Sequence, residues 1–492
     1  MKLYLMGHTF RYALEQIQMS LFPEEKMEYT EQPFSEGDGT VSALHIGPCY
    51  TTAVTTITYH GRAVRAVRRR RQTGLSAPQC RQLLQQCYYL AARQHLPEPP
   101  PWGAFSGVRP SKIATRHLLS GGTAASADRQ LRDDYFITPA RRRLCIEAAA
   151  QTVAAQAFLR PYDISLYVGI PFCPTRCAYC SFVSQSVRHF GHLVEPYLSA
   201  LLQEIAATGQ AMQGTPFRIR TVYIGGGTPT TLSTAQLERL LKAIGQHLDL
   251  SDCLEFTVEA GRPETLDPAK LQALYNGGCN RISINPQTMN DQVLQAIGRS
   301  HTTAQILTAY QAACAAGFRH INMDLIAGLP GDTADSFARS LSQVLALEPA
   351  SVTVHTLALK KAADLYGRRD LLPSAQTVAA MLCGAEPALR SHGYAPYYLY
   401  RQKYMSGSFE NVGWCKDGYL GLYNIYMMEE LQSILALGSG GVSKIKFPGG
   451  RLERLVNPKY PQEYLQMLET VLANKQTFFQ SCLLPTKDSH PG

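Results

Sequence analysis

Hydrophobic and polar positions alternate along the first 70 residues. The segments ALHIGP, AVTTITYHG and RAVRAVR carry β-branched or apolar residues at every second position, the period of a half-buried strand. The period then lengthens. Residues 78–96 (PQCRQLLQQCYYLAARQHL) and 111–119 (SKIATRHLL) read as helices separated by the Pro/Gly-rich PEPPPWGAFSGVRP, and residues 140–159 read as a further helix ending before Arg160-Pro161. Residues 1–160 are therefore expected to form a small α+β domain of their own.

From Asp163 the pattern becomes repeating strand–helix units. The strand candidates are Ile164–Gly169, Thr221–Ile224, Leu254–Glu259, Arg281–Ile284, His320–Ile326 and Val352–Leu357, with amphipathic helices such as Gln236–Leu248 and Ala304–Ala316 between them. Six such units predict parallel strands joined by crossover helices. Eight would close a full barrel; six leave one side open, which suits a large substrate. The fold class is thus α/β, with a barrel domain over residues 161–360. Beyond it, residues 375–392 read as a helix, GYAPYYLYRQKYM is strand-like, and ILALGSGGVSK is rich in glycine. Residues 361–492 are expected to be an α+β extension packed against the open side.

A chain of 492 residues exceeds one hydrophobic core, so several domains are expected; 45% apolar and 17% charged residues are globular values. No apolar run is long enough to span a membrane, and MKLYLMGHTFRYALEQ does not have the form of a signal peptide. With 13 cysteines, this points to a reducing cytoplasm. The net charge of +9 is concentrated: between Arg62 and Arg143 there are 16 Lys+Arg against 4 Asp+Glu, so the remainder is mildly acidic.

The chemistry-bearing stretch is YVGIPFCPTRCAYCSF, Tyr167 to Phe182, where Cys173, Cys177 and Cys180 form a C-x3-C-x2-C triplet just past the first barrel strand. Loops at the carboxyl ends of strands are where α/β folds place their chemistry. Short loops of cysteine thiolates hold iron–sulfur clusters, and a four-iron cluster with three protein thiolates keeps one iron open for another ligand. Zinc is the chemical competitor, but it favours paired two-residue spacers, and no second C-x2-C or H-x3-H partner lies nearby. Three reduced, buried cysteines are the bland alternative. The interleaved Pro171, Pro174 and Tyr179 do not form a packing pattern.

This motif, with an aromatic before its third cysteine, resembles the signature of radical S-adenosylmethionine (SAM) enzymes. The surrounding residues are similar to the oxygen-independent coproporphyrinogen III oxidase (HemN-like) group. The resemblance implies a partial (β/α)6 radical SAM barrel. It also implies a [4Fe–4S] cluster on Cys173, Cys177 and Cys180 whose fourth iron chelates SAM, and electron transfer that cleaves SAM to a 5′-deoxyadenosyl radical. Gly169 stands where the group usually has His. Tyr167 and Tyr179 match aromatic positions at the cluster. Gly225-Gly226-Gly227-Thr228-Pro229 resembles the GGGTP segment that contacts the SAM amino group, implicating Gly226, Gly227 and Thr228. On residues alone it is equally a tight turn, whose glycines let a ligand approach and whose freed amides can bond it. Glu259 matches a strand-end carboxylate on the SAM ribose. Gln287, Arg299 and Asp324 fall in the order and spacing of the group's other SAM contacts, and Ala358 matches a backbone contact. Taken singly, Glu259 and Arg299 would more often be solvated surface residues.

The segments PWGAFSGVRPSK, YRQKYMSGSFENVGWCKDG and MEELQSILALGSGGVSK are similar to HemZ-type members of the group, so the resemblance covers nearly the whole chain. It implies oxidative decarboxylation of coproporphyrinogen III propionates to vinyl groups in haem biosynthesis, with a tetrapyrrole substrate and an electron donor such as flavodoxin or ferredoxin. Two other readings stand beside it. One is a haem-binding or haem-transfer protein on the same fold; related haem chaperones carry H-N-x-x-Y-W where this chain has Glu410-Asn411-Val412-Gly413-Trp414, without the His. The other is a radical SAM enzyme acting on RNA. For the basic stretch Arg62, Arg65 and Arg68–Arg71, a solvated strand edge is the commonest reading, an anion site for propionates the next, and nucleic-acid binding the last, since no aromatic platform interleaves with the arginines.

Overall fold

The computed structural model describes residues 1–34, 36–71, 74–402, 409–446 and 452–483. They divide into two compact units, Met1–Val153 with Leu399–Glu410, and Ala154–Tyr398 with Asn411–Gly492.

In the first unit, β1 (Lys2–Met6), α1 (Arg11–Leu21), β2 (Glu28–Tyr29), β3 (Gly39–Ile46), β4 (Thr51–Tyr59) and β5 (Arg62–Arg70) precede α2 (Ala77–Ala92), α3 (Ser111–Leu119), α4 (Ala124–Tyr135) and α5 (Pro139–Gln156), which runs on into the second unit. The sheet order is β2-β1-β3-β4-β5. Alternation decides which face is covered: Leu3, Leu44, Ala53, Ile57 and Val64 are buried in one core with Leu14, Ile17, Leu83, Leu84 and Cys87 of α1 and α2. Each fully buried aliphatic side chain contributes about 1.5–3 kcal/mol. The expected strands and helices are present, β1, β2, α1 and α4 are additional, and the arginine-rich β5 is an edge strand whose Arg65 and Arg69 are exposed.

The second unit holds a sheet built on β6 (Asp163–Ile170), followed by the two-residue strands β7 (Phe172–Cys173) and β8 (Gln185–Ser186), α6 (Val187–Phe190) and α7 (Val194–Met212). Next come β9 (Arg218–Gly226), α8 (Thr234–His247), β10 (Glu255–Glu259), α9 (Pro268–Asn276), β11 (Arg281–Ser283), α10 (Asp291–Ala296), α11 (Thr303–Ala315), β12 (His320–Ala327), α12 (Ala334–Ala346) and β13 (Ser351–Thr356). Strands β6, β9, β10, β11, β12 and β13 pair in that order and all in parallel, which is the expected six-stranded partial barrel. Caps set the helix starts. Ser233 with Gln236, and Thr302 with Gln305, form capping boxes, so α8 and α11 begin slightly earlier than their apolar periods suggest.

The strands alternate between a dry face and a polar one. Ile164, Leu166 and Val168 on β6, Val222 and Ile224 on β9, and Phe256 and Val258 on β10 are buried core residues. The residues between them are polar and bond to one another. Ser165 meets Thr221 at 2.6 Å, Asn322 bonds Ser351, Thr353 and Asp324, and Tyr223 bonds Glu259. A one-residue slip in any strand would exchange the two sets.

The C-terminal segments join the barrel sheet itself. After α13 (Ala375–Ser391), β14 (Ala395–Tyr400) and β15 (Asn411–Cys415) continue the sheet beside β13, with β15 antiparallel to it. After α14 (Leu422–Glu429), β16 (Ser433–Leu437) pairs in parallel with β6, and β17 (Val442–Lys446) and β18 (Leu452–Val456) follow antiparallel; α15 (Pro461–Gln466) and α16 (Leu468–Leu483) close the chain. The tail thus extends both edges of the barrel sheet, satisfying backbone groups that a six-stranded sheet would leave bare. Residues 403–408 of the YRQKYMSGSFENVGWCKDG segment lie outside the described residues.

Candidate active site

The expected site residues converge on the carboxyl end of the parallel strands. Cys173 ends β7, and Cys177, Tyr179 and Cys180 occupy the loop that follows. All three cysteines are free thiols, Cys177 buried and the other two half-buried. Hydrogen-bond donors point at two of their sulfurs: Thr228 Oγ1 is 3.4 Å from Cys173 Sγ, and Arg262 Nη1 is 3.2 Å from Cys177 Sγ.

The glycine turn runs alongside the end of β6. Gly226 has φ +112°, outside the range a β-carbon tolerates well, and a Cβ on Gly227 would lie 2.5 Å from the Phe172 carbonyl oxygen. The expectation of free amides in this turn is corrected. Gly226 N–H donates to Glu259 Oε2 (3.3 Å), Gly227 N–H to Ile170 O (2.8 Å) and Thr228 N–H to Phe172 O (2.7 Å). The glycines are needed here because two backbones pack against each other.

Glu259, the last residue of β10, accepts from Tyr223 Oη at 2.5 Å. Burial, opposed by the Tyr223 hydrogen bond and reinforced by Asp324, pushes its carboxyl up to about 7. Tyr167, Tyr223 and Tyr423 stack in a row beside it, with ring centroids 6.3 and 4.5 Å apart. Tyr167 therefore has a packing role whatever it contacts. Asp324 lies on the same face of β12. Burial alone would raise its carboxyl, but His355, 3.6 Å away, and Asn322 outweigh that and hold it below its ordinary value.

Gln287 has φ +70° and bridges backbone to backbone with Asp324 and Ile326. A non-glycine residue in that region is uncommon and is stabilised here by its surroundings. Arg299 is buried. Its Nη1 donates to the carbonyls of Gly261 and Asn285, its Nη2 lies 3.3 Å from Tyr179 Oη, and its Nε is buried without a partner. Ala358 lies half-buried, two residues past β13. Gly169, where the family has His, faces β16 and the turn after it: its carbonyl accepts from Tyr197 Oη at 2.6 Å, and a Cβ would lie 3.2 Å from Ser439 O.

Several residues were not found by sequence reading. Buried Arg262 and His301 and half-buried Thr175 and Glu264 form a hydrogen-bonded chain beside Cys177, and Tyr223 and Tyr423 flank Glu259. Arg262 carried a faint signal, an arginine three positions past the strand-end Glu259 in EAGRPETL.

A barrel of six parallel strands with three free thiols and this set of polar groups at its open end defines a radical SAM protein. The family model for the radical SAM superfamily matches residues 167–344. The chain is 36% identical over 395 residues to the oxygen-independent coproporphyrinogen-III oxidase-like protein HemZ of Bacillus subtilis, covering 79% of each chain. It is 29% identical over 305 residues to the heme chaperone HemW of Haemophilus influenzae, covering 62% of this chain and 76% of that one. Among solved structures, coproporphyrinogen III oxidase (HemN) from Escherichia coli matches with a TM-score of 0.53 and 26% identity over 65% of this chain and 72% of its own. The chain belongs to the radical SAM superfamily and, within it, to the HemN-like group as a HemZ-type member.

Members of this superfamily use a [4Fe–4S] cluster and SAM, and the residues present fit both. The partnerless Arg299 Nε is an unfilled donor for a ligand. The donors aimed at Cys173 and Cys177 suit thiolate sulfurs bound to iron. Among the described residues no three His, Cys, Asp or Glu side chains converge as a single ion requires, whereas a cubane takes each thiolate on a different iron. Among the described residues no helix is long and apolar enough to cross a membrane.

Proposed function

We propose that this protein carries out the oxygen-independent oxidative decarboxylation of coproporphyrinogen III in haem biosynthesis. Each reacting propionate loses a hydrogen atom, CO2 and one electron to an acceptor, leaving a vinyl group. When bound, the cluster and SAM supply a strongly oxidising alkyl radical able to take that hydrogen atom. The chain's own residues supply the rest. Cys173, Cys177 and Cys180 hold the cluster, and Thr228 and Arg262 orient two of the thiolates. Glu259, braced by Tyr223 and Gly226, presents a carboxylate to the ribose diol, and Arg299 presents its unfilled Nε. The polar barrel face keeps these groups in register.

The observation that carries the reading against the chaperone alternative is at Glu410. Where haem chaperones have a His, this carboxylate is buried, accepts from Trp102 Nε1 at 2.8 Å and pairs with Arg141 at 2.9 Å. It is committed to the fold. The similarity to HemZ over most of both chains supports the same choice.

The test is anaerobic reconstitution with iron, sulfide, SAM, reductant and coproporphyrinogen III. The expected products are protoporphyrinogen IX and CO2. SAM cleavage without decarboxylation would remove the substrate from the proposal. Tight haem binding without turnover would favour the chaperone reading, and salt-dependent retention of tRNA would favour the RNA reading.

A further inference from the structure

We propose that Arg262 is a positioning residue for Cys177 and that, with Glu264, it sets the electron affinity of the metal centre held by the cysteine loop. This rests on the reading of Cys173, Cys177 and Cys180 as cluster ligands.

Arg262 follows β10 and is 3% exposed. A cation so deeply buried needs partners, and it has them on each nitrogen. Nε donates to Glu264 Oε1 at 2.8 Å, Nη2 donates to Thr175 Oγ1 at 2.6 Å, and Nη1 is 3.2 Å from Cys177 Sγ. The first contact is local and the second ties the end of β10 to the cysteine loop. The third is directed at a ligand atom. Glu264 is itself held through its other oxygen by His301 Nδ1 at 2.6 Å, so the carboxylate, the guanidinium and the sulfur are joined in one hydrogen-bonded chain.

The consequence is electrostatic. Hydrogen bonds to cluster sulfurs and net local charge set the reduction potentials of iron–sulfur centres. One-electron reduction adds a negative charge, which a buried guanidinium against a ligand sulfur stabilises. Arg262 therefore raises the potential, and Glu264, one residue further from the sulfur, offsets part of that rise. The two residues act in opposite directions on one observable, which a merely structural role would not produce.

The experiment is an EPR-monitored redox titration of the reconstituted full chain without SAM, comparing Arg262→Gln, Arg262→Lys and Glu264→Gln with the parent. Gln at 262 is expected to lower the potential by about tenfold in the reduction equilibrium, which is about 59 mV for a one-electron couple. Lys is expected to stay near the parent, and Glu264→Gln to rise. Loaded clusters with unshifted potentials in both Gln variants would overturn the proposal. If Arg262→Gln takes up no iron, Glu264→Gln decides alone: a rise supports the proposal and an unchanged value overturns it. Full iron retention after Cys177→Ala would instead overturn the cluster reading on which the proposal stands.

Discussion

Replacing Glu259 by Gln separates what this carboxylate contributes to the site from what it costs the fold. Its carboxyl is pushed from 4.5 to about 7, burial being the largest cause. A carboxyl whose folded value is raised gives its full stability below the unfolded value and loses it as pH rises through the folded one. The ligand-free protein is therefore destabilised progressively between pH 4.5 and about 7. At 1.36 kcal/mol per unit, the full cost is ~3 kcal/mol. Gln keeps the acceptor for Tyr223 but turns its amide toward Gly226 N–H, forfeiting ~1 kcal/mol. The Gln variant should thus be more stable than the parent by ~2 kcal/mol near pH ~8 and equal to it near pH ~5, while binding SAM more weakly. The assay is denaturant unfolding of the ligand-free chain followed by Trp414 fluorescence in a Trp102→Phe background, so that the emission reports the barrel unit. A Gln variant that is less stable by the same amount at both pH values would refute the reasoning, because Glu259 would then be an ordinary satisfied carboxylate.

Three further outcomes are expected. Alanine at Cys173, Cys177 or Cys180 should abolish iron retention and reductive SAM cleavage while leaving the far-UV circular dichroism intact, since Cys173 only ends the two-residue β7 and the other two occupy the loop after it. Gly227→Ala places a Cβ 2.5 Å from the Phe172 carbonyl oxygen; displacement of the turn should cost ~1–3 kcal/mol in thermal unfolding and reduce iron uptake. Glu410→Ala leaves the Arg141 guanidinium and the Trp102 N–H without their buried acceptor, and should destabilise the first unit by ~3–5 kcal/mol, read as a fall in Tm followed by Trp102 fluorescence in a Trp414→Phe background.

The local periods of the sequence were enough to find the six barrel strands and their parallel sense, because a parallel strand needs an apolar face and a crossover connection long enough for a helix. That Glu259 and Asp324 share a face was decided by the pairing of β10, β11 and β12, since alternation fixes sides only within one strand. The C-x3-C-x2-C spacing announced its own chemistry. Tertiary structure alone decided what lies beyond that reach. The edges of the barrel are taken by β15 and β16, strands drawn from 55 or more residues after β13 ends and some 260 residues after β6 ends, and no local period encodes such pairing. The glycine turn proved to be a backbone-on-backbone contact, which a sequence reads only as permissiveness. Sequence reading did not single out Arg262, which folding buries against Cys177, because burial and direction are properties of the neighbours and not of the residue.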